Sequence, residues 1–457
     1  MKKVIYNTIF PFAIFIIFIS IFIFDNRICF CAASSPTPAI ETNIDSTIIR
    51  VGFPISDLVR TIRLQSIKGE WTFKLHPIPP ATGSETLFSQ EIIEKIPEGE
   101  DITFQITANG ITGRTSKGTE LHIKSVYTPD IETRESEKGF SKIEAEGGEL
   151  ITLEIPNHSP LILSGRLEIN LVEKTFSLIN SVPMKELITS CVSDNSQSPE
   201  PEALKAAIIA ARTRIVFLKH SSKHASESYD LCNTNHCLPF SGKGVTRELT
   251  TLLVDKVPNE ILTHKGQPFF AYFHCTCGGK ISSAKDIYNV DDQIHLAKED
   301  RIESHGSENC YHSPSFYWVR EFTLEEIADF LSVTFAGGAE RVYLRWEPIK
   351  VDPVGRITEI KLRGKREKEL SGITFLEGIQ EYFGNNSVKS MRFIIEHMRR
   401  TVIFRGNGRG NGVGMCLTGA DGMAKKGFDY KKILNFYYSN VEIKKMGNEK
   451  SALPKKK

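Results

Sequence analysis

Apolar residues follow three patterns in turn along the chain. From Ile9 to Phe24 they are nearly continuous, broken only by Pro11 and Ser20. From Ile48 to about Val182 they come in short alternating runs between turns, as in Ile49-Arg50-Val51-Gly52-Phe53, Ile102-Thr103-Phe104-Gln105-Ile106 and Leu167-Glu168-Ile169-Asn170-Leu171. A period of two turns one strand face inward, so this stretch reads as β-rich. Beyond it the period lengthens. Leu204, Ile208, Ala211, Ile215 and Leu218 form the apolar stripe of a helix, with Lys205, Arg212 and Arg214 off it. Pro199 and Pro201 mark its start, where a missing N–H does no harm. Thr323 and Glu326 form a capping box for a helix carrying Leu324, Ile327, Ala328 and Leu331, and Asp429 can cap another carrying Ile433, Leu434 and Tyr437. Phe269–Phe273, Val342–Trp346 and Ile357–Leu362 read as strands. The mixture predicts an α+β fold.

Composition and charge add the chain's organisation. Lys2 and Lys3 precede the first apolar run, and Ala32, Ala33, Ser34 and Ser35 follow it. Basic start, apolar run and small residues are the layout of a secretory signal. A helix over Ile9–Phe24 would span only about 24 Å, short of a ~30 Å hydrocarbon core. Residues 1–33 therefore read as a signal peptide, with an uncleaved membrane anchor as the alternative. Either way the chain is expected to be exported, to the periplasm or cell envelope. Residues 34–47 read as a Ser/Thr/Pro linker, 48–160 as a β-rich N-terminal region and 443–457 as a basic tail. The tail, with Lys444, Lys445, Lys450 and Lys455 to Lys457, reads as solvated or as a contact for an anionic envelope polymer. The net charge of +2 is too small to imply a nucleic-acid partner.

Beyond the first apolar run lie Cys191, Cys232, Cys237, Cys275, Cys277, Cys310 and Cys416. Their odd number leaves at least one thiol free or metal-bound in a monomer. His224, Cys232, His236 and Cys237 could supply zinc ligands, and His274, Cys275 and Cys277 are further candidates. Disulfides such as Cys232–Cys237 or Cys277–Cys310, or reduced thiols, are the alternatives. Phe316, Tyr317 and Trp318 read as core, with sugar stacking as the alternative. No G-x-S-x-G or H-E-x-x-H motif is present.

The densest signal is Gly406-Asn407-Gly408-Arg409-Gly410-Asn411-Gly412-Val413-Gly414-Met415. Glycine at every second position lets backbone amides approach a partner closely, and a tight bulged strand accounts for it equally well. It is not the dinucleotide fingerprint, because no βαβ unit frames it. The segment continues through Cys416-Leu417-Thr418-Gly419-Ala420 and Gly422-Met423-Ala424-Lys425-Lys426-Gly427 to Ile433-Leu434 and Tyr437-Tyr438. These residues resemble the C-terminal signature of the stage II sporulation protein D / LytB (SpoIID/LytB) amidase-enhancer family. Further likenesses come in the family's order. They are Ile179-Asn180 before Ser181-Val182-Pro183-Met184, Glu202-Ala203-Leu204-Lys205-Ala206 through Ala211-Arg212-Thr213, Tyr229-Asp230-Leu231-Cys232 with His236-Cys237, Gly278-Gly279, Ser313-Pro314 and Lys389-Ser390-Met391-Arg392-Phe393. Residues 161–442 accordingly resemble a SpoIID/LytB domain with a groove.

The resemblance implies a role on peptidoglycan. Better-known members are lytic transglycosylases of peptide-free glycan strands, and others are described as enhancers of cell-wall amidases. Cleavage of this kind uses one carboxyl as acid and then base. The family carries a Glu eight residues before the glutamate that matches Glu202. Here that position is Asp194, or Asn195 when counted from Val182-Pro183, so no Glu stands at either place. Asn411 replaces a family His, and Cys416-Leu417 replaces Ser-Gln. The implied reading is an envelope protein that binds peptidoglycan glycan strands beside Asp194, Arg212, Gly410, Asn411, Gly412 and Gly414, with weakened transglycosylase chemistry on Asp194. The alternative is a non-catalytic wall-binding protein that recruits or stimulates a cell-wall amidase.

Overall fold

The computed structural model describes residues 47–446, apart from 54, 56–58, 77–91, 108–109, 125–140, 157–158, 173–174, 197, 222, 240–241, 244–246, 303–305 and 339. The N-terminal apolar run, the linker up to residue 46 and the tail beyond Met446 lie outside the described residues. The fold is α+β, as the alternation of periods predicts.

The alternating runs form two sheets. One has six strands in the order Leu161–Leu163, Leu150–Glu154, Thr61–Lys68, Asp101–Thr107, Gly110–Thr115, Glu120–Lys124, with every neighbour antiparallel. The other has seven, in the order Leu231–Cys232, Ile48–Phe53, Thr175–Pro183, Arg166–Val172, Ser141–Glu146, Trp71–His76, Ile92–Ile96. Ile62, Leu64 and Phe104 from the first sheet share one core with Phe73, Ile143 and Ile169 from the second. The Phe73 and Phe104 rings meet with centroids 6.0 Å apart. Strands from both sides of residue 160 complete these sheets, and the β-rich stretch ends at Pro183.

Pro183 leads directly into α1 (Met184–Asn195), and α2 (Pro201–His220) follows with Pro201 in its first turn. The stripe of Leu204, Ile208, Ala211, Ile215 and Leu218 is buried as the period predicts. Arg212 and Arg214, off that stripe, are buried too. The reason is that α2 is enclosed on several sides, by α1, by α3 (Glu248–Lys256), by the strand Glu260–Thr263 and by helices near the C-terminus. The strand Glu442–Lys445 pairs with Glu260–Thr263, so Lys444 and Lys445 begin the basic tail inside the fold.

A second core forms around α5 (Leu324–Ala336) and α6 (Gly372–Phe383), after the short α4 (Ala284–Tyr288). Two three-stranded sheets cover it, Tyr317–Thr323, Thr401–Asn407, Phe393–His397 and Tyr343–Val351, Ile357–Gly364, Glu367–Ser371. The Thr323–Glu326 capping box is present with both of its hydrogen bonds. Tyr317 and Trp318 part company by strand alternation. Trp318 is buried with Phe316, while Tyr317 is 69% exposed. After this core come α7 (Leu417–Lys425) and α8 (Tyr430–Tyr437), the latter capped by Asp429. Among the described residues no helix is long and apolar enough to cross a membrane.

One strand expectation fails in part. Phe269–Phe273 makes a ladder only over Phe273–His274, parallel to Met415–Cys416. Phe269 and Ala271 are buried in the core, but the Tyr272 carbonyl accepts from Met415 N (3.0 Å) and from the Tyr438 hydroxyl (2.8 Å). The apolar run reported burial rather than a strand.

Candidate functional site

The glycine segment bridges the two cores. The strand Thr401–Asn407 packs on the second core, and residues 408–416 then cross to the first, alongside residues 272–282. Arg409 N donates to Thr276 O at 2.7 Å, Ser282 N to Gly412 O at 2.9 Å and Gly410 N to Lys389 O at 2.8 Å. Gly408, Gly410, Gly412 and Gly414 all have positive φ, between 72° and 100°. The space around two of them is already filled. A Cβ on Gly412 would lie 2.2 Å from the Arg356 guanidinium, and one on Gly414 would lie 2.0 Å from the Tyr272 carbonyl. At these two positions the regular spacing therefore answers to protein neighbours, as the bulged-strand account holds. Gly410 and Asn411 do reach a small cleft, of about 10 Å³, that also has Ile287, Arg356, Thr358 and Met391 in its wall. The Asn411 carbonyl oxygen accepts from Val413 N at 2.9 Å, which leaves the amide NH2 as the donor end.

Arg356 carried no motif, yet it sits beneath this segment. It is 1% exposed and donates to the carbonyls of Gly410 (3.4 Å) and Cys277 (3.3 Å). Burial pushes its guanidinium down to about 10. Sequence alone offers no signal for it beyond an arginine after the turn residue Gly355. His274 is likewise buried, with Nδ1 on the Val413 carbonyl at 2.9 Å, and burial pushes its imidazole down to about 4. Among the described residues it joins no group of metal-type ligands.

Arg212 and Asp194 lie elsewhere. The Arg212 guanidinium donates to the carbonyls of Pro258 (2.8 Å) and Glu260 (2.9 Å), and burial pushes it down to about 10. These bonds tie α2 to the strand Glu260–Thr263 and do not run to the glycine segment. Asp194 sits in the last turn of α1. Its neighbour Asn195 folds its amide back onto the Cys191 carbonyl at 2.8 Å. Glu202 accepts from Tyr430 N at 2.9 Å and pairs with Lys205 at 2.6 Å, so it satisfies an otherwise orphaned amide in the first turn of α8.

The loop that follows Asp194 is nevertheless tied to the glycine motif's helix. Ser198 Oγ donates to Asp421 Oδ1 on α7. Asp421 Oδ2 also meets His312 Nε2 at 2.7 Å and Lys425 Nζ at 2.6 Å. Burial works to raise the Asp421 carboxyl, but Lys425, Ser198 and His312 outweigh it and hold it below its ordinary value. Sequence reading missed this hub. Its signal was a lone acid in Gly419-Ala420-Asp421-Gly422, where glycine and alanine otherwise let the helix pack closely.

The predicted His/Cys group does assemble. The ligand atoms of His224, Cys232, His236 and Cys237 all lie within 4.8 Å of one another. His224 Nε2 is 3.0 Å from Cys237 Sγ, and His236 Nδ1 is 3.5 Å from both sulfurs. The other nitrogen of His224 is held by the Glu227 carboxylate, the usual way a ligating imidazole is oriented. The hydrogen bond that the Cys237 thiol gives to Cys232, with burial, raises the Cys237 thiol, and the same bond draws the Cys232 thiol down. None of the seven described cysteines is disulfide-bonded. Two thiols and two imidazoles at these separations fit a tetrahedral zinc ion. Cys275 and Cys277 do not add to this set.

Sequence comparison carries the remaining step. The stage II sporulation protein (SpoIID) family model matches residues 172–264, which run from the last strands of the seven-stranded sheet through α1, α2 and the His/Cys group to Glu260–Thr263. An uncharacterized protein of Brachyspira hyodysenteriae is 29% identical over 273 residues, 59% of this chain and 68% of the relative. Stage II sporulation protein D of Bacillus subtilis is 26% identical over 279 residues, 58% of this chain and 75% of the relative. The protein of that name from Bacillus amyloliquefaciens is 26% identical over 287 residues, with 58% and 75% covered. With the family's motifs in order along the fold, these matches support a SpoIID-family assignment and, with it, a cell-wall-related role.

Proposed function

We propose that this chain binds peptidoglycan glycan strands at the cell envelope and cleaves them weakly or not at all. One observation carries the reading. By the family resemblance, the position of the catalytic Glu falls on Asp194, in the last turn of α1, or on Asn195, whose amide is bonded to its own helix at 2.8 Å. A carboxyl that protonates a glycosidic oxygen must come within about 3 Å of it, directly or through one water. Aspartate is one methylene shorter than glutamate, and a retreat of about 1 Å can cost roughly 100-fold in rate. The family framework persists around that gap, in the Glu202 cap, the glycine segment and the cleft at Gly410 and Asn411. An amide at Asn411 can hydrogen-bond a sugar hydroxyl but cannot carry a proton near neutral pH. A cell-wall-related domain points to an exported or envelope protein, and the N-terminal apolar run supplies a route out.

The test uses residues 34–457 with peptide-free glycan strands. Co-sedimentation should show binding, and mass spectrometry should show few or no anhydro-sugar products. Asn411→Asp keeps the acceptor for Val413 N while removing the donor, and it should weaken binding severalfold in a folded protein. Any cleavage that is seen should vanish in Asp194→Ala and rise in Asn195→Glu. Robust turnover that survives Asp194→Ala would place the chemistry on another residue.

A further inference from the structure

A second group of ligand-type side chains lies beneath the glycine segment, apart from the His/Cys group. Cys277, Asp300, Cys310 and Cys416 are all buried, and their ligand atoms lie within 4.8 Å of one another. Cys277 Sγ is 3.4 Å from Cys310 Sγ and 3.0 Å from Asp300 Oδ2. We propose that these four residues form a closed, structural zinc site that clasps the glycine segment and the start of α7 to the 274–279 turn, Asp300 and Cys310.

The separations favour an ion over a bond between sulfurs. Zinc–sulfur bonds of about 2.3 Å at tetrahedral angles set two sulfurs about 3.8 Å apart, and a sulfur and an oxygen about 3.5 Å apart. The observed 3.4 and 3.0 Å would open by about half an ångström to admit the ion. A disulfide needs about 2.05 Å, so Cys277 and Cys310 would have to close by well over an ångström. A pair so closed would also leave Cys416 and Asp300 without a use. Three sulfurs and one carboxylate suit zinc better than calcium or magnesium, which take oxygen ligands.

The surroundings already hold these side chains in place. Cys416 Sγ accepts from the backbone amides of Cys277 (3.3 Å) and Gly419 (3.2 Å), at the N-terminus of α7. Backbone amides and the positive end of a helix favour a thiolate. Asp300 presents Oδ2 to Cys277, while its other oxygen accepts from the Tyr437 hydroxyl (2.8 Å) and the Asn309 amide (3.1 Å). That is how an outer shell fixes a ligating carboxylate. Gly419 makes room for it, since a Cβ there would lie 2.4 Å from Asp300 Oδ2. The buried Arg356 guanidinium, on the Cys277 carbonyl, offsets part of the excess negative charge. All four positions are filled by the protein and buried, so the ion would hold structure and not bind a reacting water.

The experiment measures metal per chain in protein purified without oxidant or chelator. Cys310→Ser should hold one zinc fewer per chain than wild type. Cobalt exchanged into wild type should give sulfur-to-metal charge-transfer absorption that falls in Cys310→Ser. Asp300→Cys should keep the wild-type metal content and strengthen that absorption, and it decides the matter if Cys310→Ser does not fold. Metal content unchanged by Cys310→Ser overturns the site, as does a Cys277–Cys310 disulfide in freshly purified wild type. Asp300→Cys protein with one zinc fewer than wild type overturns it as well.

Discussion

The two groups of sulfur ligands differ in how they are built. His224 and Cys237 are thirteen positions apart, and one loop brings them together. Cys277 and Cys416 are 139 positions apart, and they meet only because the glycine segment lies against residues 272–282. The first group keeps His236 exposed, while every member of the second is buried. A local site can form as soon as its loop closes. A distributed site needs both cores and the crossing between them, so it reports on tertiary structure as a whole.

The largest effect expected is on the crossing itself. Gly412→Val combines a positive φ of 78° with a contact 2.2 Å from Arg356, and strain plus overpacking should cost about 3 kcal/mol or more. Denaturant unfolding should show a large loss of stability, or no folded protein. A stable variant that loses only glycan binding would return the segment to a ligand surface. Next comes metal removal. With zinc in both groups, a chelator should strip the first site, through its exposed His236, at least about 100-fold faster, because the second must wait for about 2.7 kcal/mol or more of local opening. Equal rates would erase the distinction between the two sites.

Smaller effects sharpen it. Asp421→Asn weakens the bonds that tie α7 to Ser198, His312 and Lys425, and it should cost about 1–3 kcal/mol near neutral pH. Asp421 has its folded value held below the unfolded one of about 3.9. Its contribution is therefore full above that unfolded value and is lost as pH falls through the lower folded value. The gap between wild type and Asp421→Asn should begin to narrow below about pH 4 and close once the pH is below the lower folded value, and a gap that persisted there would assign the effect to packing. The smallest effect is at Glu202→Gln, which keeps an acceptor for Tyr430 N and loses a partly exposed ion pair with Lys205. Its cost should stay below about 0.5 kcal/mol, with glycan binding unchanged. A large loss of binding there would make Glu202 part of the groove.

Much of this was open to reading because the governing interactions are short in sequence. Thr323 bonds Glu326 three residues on, Asp429 bonds Lys432, and strand alternation acts between residues two apart. The same holds for His224, Cys232, His236 and Cys237, whose spacing already suggested a ligand set. The α+β class and the family motifs follow from such local periods and runs. Tertiary structure decided the rest. It buried Arg212 against Pro258 and Glu260, made Phe269–Phe273 mostly core rather than strand, and filled the spaces beside Gly412 and Gly414 with Arg356 and Tyr272. It also brought Asp421 to His312 and gathered Cys277, Asp300, Cys310 and Cys416 into one buried group. Such meetings depend on how separate elements pack. A period of two or 3.6 tells a residue which way to face, but it carries no information about which distant residue it will find there.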